Sequence, residues 1–201
     1  MANTQRPFGF RPVQTRNGSP WCGKTQKVII LASDTNGYFV GDLVKFTGDQ
    51  AVSPIDGKYY QVITKAVASD VKLAGAVTGV STTDSVQTQY LGHRPAAAQD
   101  INITCEIPED ADVIYIAQED SVGGAMAVGA AGSNVNFVVG SGGDTATNTS
   151  SYALDSSTVA TTSTLPIRVI SYDDPLSTES GAYALWRVTI NQDAYSDKTG
   201  V

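Results

Sequence analysis

The residue types that carry chemistry are few in this chain, and they are scattered. His93 is the only histidine, so a histidine-based triad or a multi-histidine metal site is excluded. It sits in "GHRPAAAQD", beside Arg94-Pro95, and is read as a solvated loop residue. "GSGGD" at 140–144 has the glycines of a phosphate cradle. It lacks the following Lys-Ser/Thr and the strand-to-helix context that aim backbone N–H groups and an ammonium at phosphates. "GGAMAVGAAG" at 123–132 does not keep the GxGxxG spacing either, and both stretches are read as flexible turns. "IPEDADV" clusters Glu109, Asp110 and Asp112, and Asp173-Asp174 is a second acidic pair. Calcium takes such oxygen ligands, but neither stretch has the regular Asp/Asn spacing of a calcium loop. Both are read as solvated turns. Cys22 and Cys105 lie far apart with no CxxC spacing and are expected to be reduced thiols. Asn102-Ile103-Thr104 and Asn148-Thr149-Ser150 fit the glycosylation sequon and are set down to chance. No nucleophile has a matching base. The expectation is a protein that binds or builds, with no catalytic residue, no cofactor and no metal.

The elements that would position any site are strands. Of the 201 residues, 41% are hydrophobic and only 16% are charged, below the usual quarter. Serine and threonine together outnumber the charged residues. Polarity then comes from hydroxyls and backbone, which suits short strands and many turns and does not suit a helical bundle. "KYYQVITKAV", "INITCEIPEDADVIYIAQED", "NVNFVV", "LPIRVISYDDP" and "YALWRVTINQDAY" are rich in β-branched and aromatic residues and read as strands. "KTQKVIILASD" and "LVKFTGDQAVSP" join them, and "KLAGAVTGVSTTDSVQTQYL" reads as two more. Asn36-Gly37 signals a tight turn. Alternation in the last strand puts Ala184, Trp186 and Val188 on one face, so Trp186 is read as a core residue. The only helix candidate, residues 119–131, is broken by glycines. The chain is predicted to be all-β, barrel- or sandwich-like, with roughly ten or more strands. A break at "GHRPAAAQD" suggests a first β unit over 25–92 and a second over 93–201, or one continuous β domain.

Charge divides the chain differently. Residues 1–33 carry Arg6, Arg11, Arg16, Lys24 and Lys27 and no acid, whereas all 20 Asp and Glu lie beyond them; the net charge is −7. An acidic body argues against a nucleic-acid partner, which needs a basic face. No run approaches the ~18–20 apolar residues that span a bilayer, so no membrane partner is expected. The first residues lack the apolar stretch of a signal peptide, so use without Sec export is expected. Residues 1–24 hold Pro7, Pro12 and Pro20, each of which removes a backbone donor and favours extended geometry. They are read as an extended basic arm that builds no core alone and lies along another surface.

The order of these parts resembles that of tailed-bacteriophage capsid decoration, or cement, proteins. The likeness rests on "MANTQRPFGFRPV…NGSPW", on "SDTNGYFVGDLVKF" with its Asp-Thr-Asn and Gly-Asp-x-Val, on "LAGAVTGV" and on "WRVTINQDAY". The resemblance implies a β-rich structural protein on the outer surface of an icosahedral head, assembled in the host cytoplasm. It would bind the major capsid protein and stabilise the shell after expansion. It implies self-association too, with a trimer as the first expectation. On that reading Arg6, Arg11 and Arg16 supply charge to a capsid-binding arm, and Phe8, Phe10 and Trp21 are its pocket anchors. The rival is a phage head-fibre, tail or host-attachment module that binds carbohydrate, supported by nine tyrosines and hydroxyl-rich loops, although no repeat marks a shaft. An exported β lectin and an enzyme rank below it.

Overall fold

A computed structural model describes residues 3–81, 90–173 and 181–194. Its strands, in chain order, are β1 (Arg11–Thr15), β2 (Thr25–Ile30), β3 (Tyr38–Phe39), β4 (Leu43–Val52), β5 (Tyr59–Lys65), β6 (Gly75–Ala76), β7 (Gly79–Ser81) and β8 (Tyr90–Leu91). They continue with β9 (His93–Arg94), β10 (Ile103–Pro108), β11 (Val113–Gln118), β12 (Asn134–Val138), β13 (Ala153–Ala160), β14 (Ile167–Tyr172) and β15 (Leu185–Ile190). The all-β architecture is as predicted, with curled sheets that form a half-barrel and sandwich. Within 119–131 the helix candidate reduces to one 3-10 turn, Val128–Ala130.

One sheet has six strands in the order β1-β11-β15-β14-β12-β13, all antiparallel. The other has seven, β6-β4-β5-β2-β10-β7-β8, with β2 and β5 parallel. A short ribbon pairs β3 with β9. Strand β4 serves two cores because successive side chains point to opposite faces. Leu43 joins Phe10, Phe137, Tyr152 and Trp186 in the core shared by the two sheets. Val44 and Phe46 join Val28, Ile30, Ile63, Ile103, Cys105 and Ile107 inside the seven-stranded sheet. Trp186 is fully buried, as its alternation predicts.

Asp173, read as part of a solvated turn, is buried and pairs with Arg187 at 3.0 Å, and four readings of the architecture change. The sheets do not part the chain at 92/93: β10 from the second stretch lies between β2 and β7, and β11 enters the other sheet. Thus β10 and β11, adjacent in sequence, are not partners, and the "PED" turn is a crossing between sheets. Asn36-Gly37 is not a hairpin turn, because β3 pairs with β9 rather than with β2. Instead Asp34 accepts the Asn36 backbone N–H at 2.8 Å and so bends the connection. His93 is not a solvated loop residue but part of β9. Residues 82–89 within "STTDSVQTQYL", Asp174 and Tyr195 lie outside the described residues.

The fourth change concerns the arm. Residues 11–15 form an edge strand of the six-stranded sheet, with Pro12 opposite Tyr115. Proline is admissible there because an edge strand has one side without ladder partners. Before the strand, the chain is fastened by a close crossing of two glycines. Phe10 N–H donates to Gly41 O at 2.9 Å. A Cβ on Gly9 would sit 2.4 Å from Gly41 O, and Gly9 has φ of 76°. Gln118 then splints the first residues: it accepts from Arg6 N–H at 2.7 Å and donates to Thr4 O at 3.1 Å. This segment belongs to the chain's own core, so it is not a free arm.

Candidate binding site

The proposed arm residues fall into two groups. Phe10 is 0% exposed and sits in the shared core, which removes it as an anchor for another protein. Trp21 is half-buried and packs against the same core; its backbone N–H donates to Val13 O at 3.0 Å and folds it over the outer side of β1. Phe8 is half-buried, with the Arg11 guanidinium 5.5 Å from its ring centroid. Arg6, Arg11 and Arg16 are exposed. Arg16 pairs with Asp112 at 3.6 Å, and Lys24 pairs with Glu109 at 3.5 Å and Asp110 at 3.4 Å. The acidic turn therefore answers the chain's own cations, and those hydrogen bonds and charges raise the Lys24 pKa. Such exposed pairs contribute little, because water and salt screen them. Among the described residues, no group of three His, Cys, Asp or Glu could hold a metal ion. Cys22 and Cys105 are free thiols, the first exposed and the second buried.

Sequence reading missed a buried polar centre at the junction of the ribbon, β5 and the loop before β13. Asp42 is 1% exposed. It accepts the Phe39 N–H at 3.0 Å and pairs with Lys65 Nζ at 2.9 Å. Lys65 also donates to Gly37 O at 2.9 Å and lies over the Tyr152 ring, 5.4 Å from its centroid. Arg94, buried in β9, donates to the carbonyls of Asn36 and Asp34 and lies over Tyr38. The Tyr38 hydroxyl donates to Asp34 and accepts Lys65 N–H at 3.0 Å. These bonds hold irregular backbone that has no sheet partner of its own.

Beside this centre lies a cavity of about 480 Å³. One wall is an aromatic pair, Phe39 and His93, with ring centroids 5.3 Å apart and planes 10° from parallel. The facing wall is the glycine-rich loop at 139–145. Two of its amides, Gly142 and Gly143, donate to Ser151 Oγ at 3.1 Å each. Gly143, with φ of 87°, rests on the Phe39 ring so closely that a Cβ would lie 2.4 Å from it. Asn148 Oδ1 lies 2.6 Å from His93 Nδ1 and fixes the ring from behind the loop. The "GSGGD" stretch is therefore a rigid wall, not a flexible turn. A second cavity, about 510 Å³, lies between Arg6, Pro7 and Phe8 and the outer side of the same loop.

Two buried carboxylates give the fold a pH dependence of definite sign. Burial pushes Asp42 up, more than Lys65 pulls it down. Burial likewise raises Glu119, despite hydrogen bonds from Met126 N–H at 2.9 Å and the Ser121 hydroxyl at 3.3 Å. For each, the folded state holds its proton more tightly than the unfolded state. The stability this contributes is fully present below the ordinary carboxylate pKa and is lost as pH rises through the raised value. Glu119→Gln is expected to flatten the fall in stability as pH rises above the ordinary carboxylate range. Urea unfolding at a series of pH values measures it; a slope identical to that of the wild type would contradict the assignment.

Comparison with family models, with curated proteins and with solved structures finds no match for this chain.

Proposed function

We propose that this chain is a structural virion protein that decorates and stabilises the outer surface of an icosahedral bacteriophage head by binding the major capsid protein, after assembly in the host cytoplasm. On this reading it binds rather than catalyses. The observation that carries the reading is a cationic margin on an acidic chain. Arg6, Arg11 and Arg16 are exposed along one segment, that segment is bonded to the six-stranded sheet, and the net charge is −7. Because the segment is already ordered, docking loses less conformational entropy than a free arm would. The resemblance in the opening and closing stretches supports the same partner.

Replacing Arg6, Arg11 and Arg16 together by Gln is expected to weaken shell binding most at low salt, since exposed charges are screened over about 8–10 Å at ordinary ionic strength. Phe8→Ala is expected to weaken it at every salt concentration, because salt does not oppose removal of apolar area from water. A pelleting assay with purified shells reads both. Slopes of log affinity against log salt that stay parallel to the wild type in the Gln variant would sink the charge assignment.

Self-association is proposed through the β4–β5 hairpin, with a trimer as first expectation. Val52 and Tyr59 face each other across its end and are 39% and 70% exposed, an aromatic–aliphatic pair of the kind that anchors interfaces. Beyond its short pairing with β6, β4 carries a register irregularity against β5 between Phe46 and Gln50, and such a bulge disfavours addition of a further strand there. Sedimentation equilibrium at micromolar concentration should show an oligomer that Tyr59→Asp shifts toward monomer. A wild-type monomer, free and on shells, would contradict this.

A further inference from the structure

We propose that the groove between residues 6–8 and the 141–151 loop holds an extended, acidic segment of the major capsid protein, with one of its carboxylates on Arg6. The inference rests on the decoration reading and names the partner's chemistry at that site. The groove has a volume of about 510 Å³, within the ~300–1,000 Å³ typical of binding clefts. One wall carries Arg6, Pro7 and Phe8, and the facing wall carries Ser141, Asp144 and Thr147. The first wall sets a cation beside an apolar stretch, and the second presents hydroxyls. Arg6, Ser141 and Thr147 are exposed, so the groove is reached from the surface. An extended segment suits two unlike walls, because its successive side chains point to opposite sides.

Charge selects the occupant. Arg6 and Asp144 are the ionisable residues among those that line the groove. Asp144 is satisfied by its own loop: it accepts Ala146 N–H at 2.8 Å and the Thr147 hydroxyl at 2.9 Å, and these bonds hold its carboxyl below the ordinary range. Among the described residues, the Arg6 guanidinium pairs with no carboxylate, whereas Arg16 pairs with Asp112 and Arg187 with Asp173. A guanidinium takes a carboxylate through two parallel N–H donors. Arg11, 5.5 Å from the Phe8 ring centroid, adds a second cation next to the same wall. The Asp144 charge on the facing wall disfavours a dianionic phosphate more than a single carboxylate.

Both walls are fixed before anything docks. Gln118 accepts Arg6 N–H at 2.7 Å, and Gly9 lies so close to Ser150 that a Cβ on it would sit 2.5 Å from the Ser150 Cβ. On the other side, Asp144 and Thr149 exchange backbone N–H bonds at 2.8 and 3.2 Å, which closes the turn that forms the facing wall. Little ordering of the groove remains to be done on binding.

Pelleting of the full chain with purified shells tests this. Ser141→Glu sets a carboxylate on the exposed lip of the groove and is expected to lower shell affinity at least about tenfold at low salt, with an unchanged melting temperature. Ser141→Lys, of similar reach and opposite charge, is expected to bind at least as tightly as the wild type. With benzoylphenylalanine in place of Ser141, illumination on shells is expected to crosslink the chain to a stretch of the shell protein that carries Asp or Glu. Three results would overturn the groove assignment while the wild type still pellets: no loss in the Glu variant, equal losses in the Glu and Lys variants, or crosslinks confined to stretches without an acid. Each of these leaves the decoration reading standing. A wild type that does not pellet with shells ends that reading and the groove assignment with it.

Discussion

Phe10→Ala is expected to destabilise the folded chain by about 3–5 kcal/mol, the cost of emptying a fully buried aromatic site. At about 2–4 °C per kcal/mol for a chain of this length, the melting temperature should fall by roughly 6–20 °C. The ring is 0% exposed and packs in the core that holds Tyr152, Phe137 and Trp186. Its position depends on the Gly9–Gly41 crossing and on β1 pairing with β11, so little relaxation can close the cavity. Phe8→Ala, two residues away and half-buried, is expected to cost no more than about 1 kcal/mol. Removal of residues 1–22 should therefore unfold or severely weaken the chain, where a free arm would be removed without loss. Thermal unfolding of the two point variants decides between these: equal shifts would mean that Phe10 is no more built into the fold than Phe8.

Lys65→Met is expected to cost about 3–5 kcal/mol, because it leaves Asp42 buried without its counter-charge. The Lys65 side chain is 11% exposed and that of Asp42 is 1%, so water cannot replace the ammonium. Lys65 also ties β5 to Gly37 and covers Tyr152, which adds the loss of a bond to an irregular connection. The double variant Lys65→Met with Asp42→Asn should recover much of the loss, since an amide is far cheaper to bury than a carboxylate. Urea unfolding of the two single variants and the double variant forms a cycle that isolates the pair. Additive losses would show that Lys65 and Asp42 do not act together.

What the sequence made legible follows from how local each signal is. β5, β10, β11, β14 and β15 were readable because β-branched and aromatic residues crowd into short runs, and the face of Trp186 followed from alternation alone. β1 was not readable. Its proline and neighbouring glycines look like a linker, and only the distant partners Gly41, Gln118 and β11 make it a strand. The boundary at 92/93 failed for a similar reason. Strand pairing is a long-range choice, and "INITCEIP" and "VIYIAQ" carry no mark of which sheet each will join. The polar centre stayed hidden because its residues come from three separated segments, Tyr38 with Asp42, Lys65, and Arg94, each ordinary on its own. "GSGGD" was seen but misjudged, since its rigidity is supplied by Ser151 and Phe39 from outside the loop.

The central claim is that this chain belongs on the outside of a phage head. Quantitative mass spectrometry of gradient-purified virions, produced from the genome that encodes the chain, tests it most directly. The expected result is that the chain co-purifies with intact particles at a fixed copy ratio to the major shell protein, and that the Arg6, Arg11 and Arg16 to Gln variant falls below that ratio. Particles that carry the shell protein and none of this chain, or carry it at a ratio that varies from one preparation to the next, would contradict the claim.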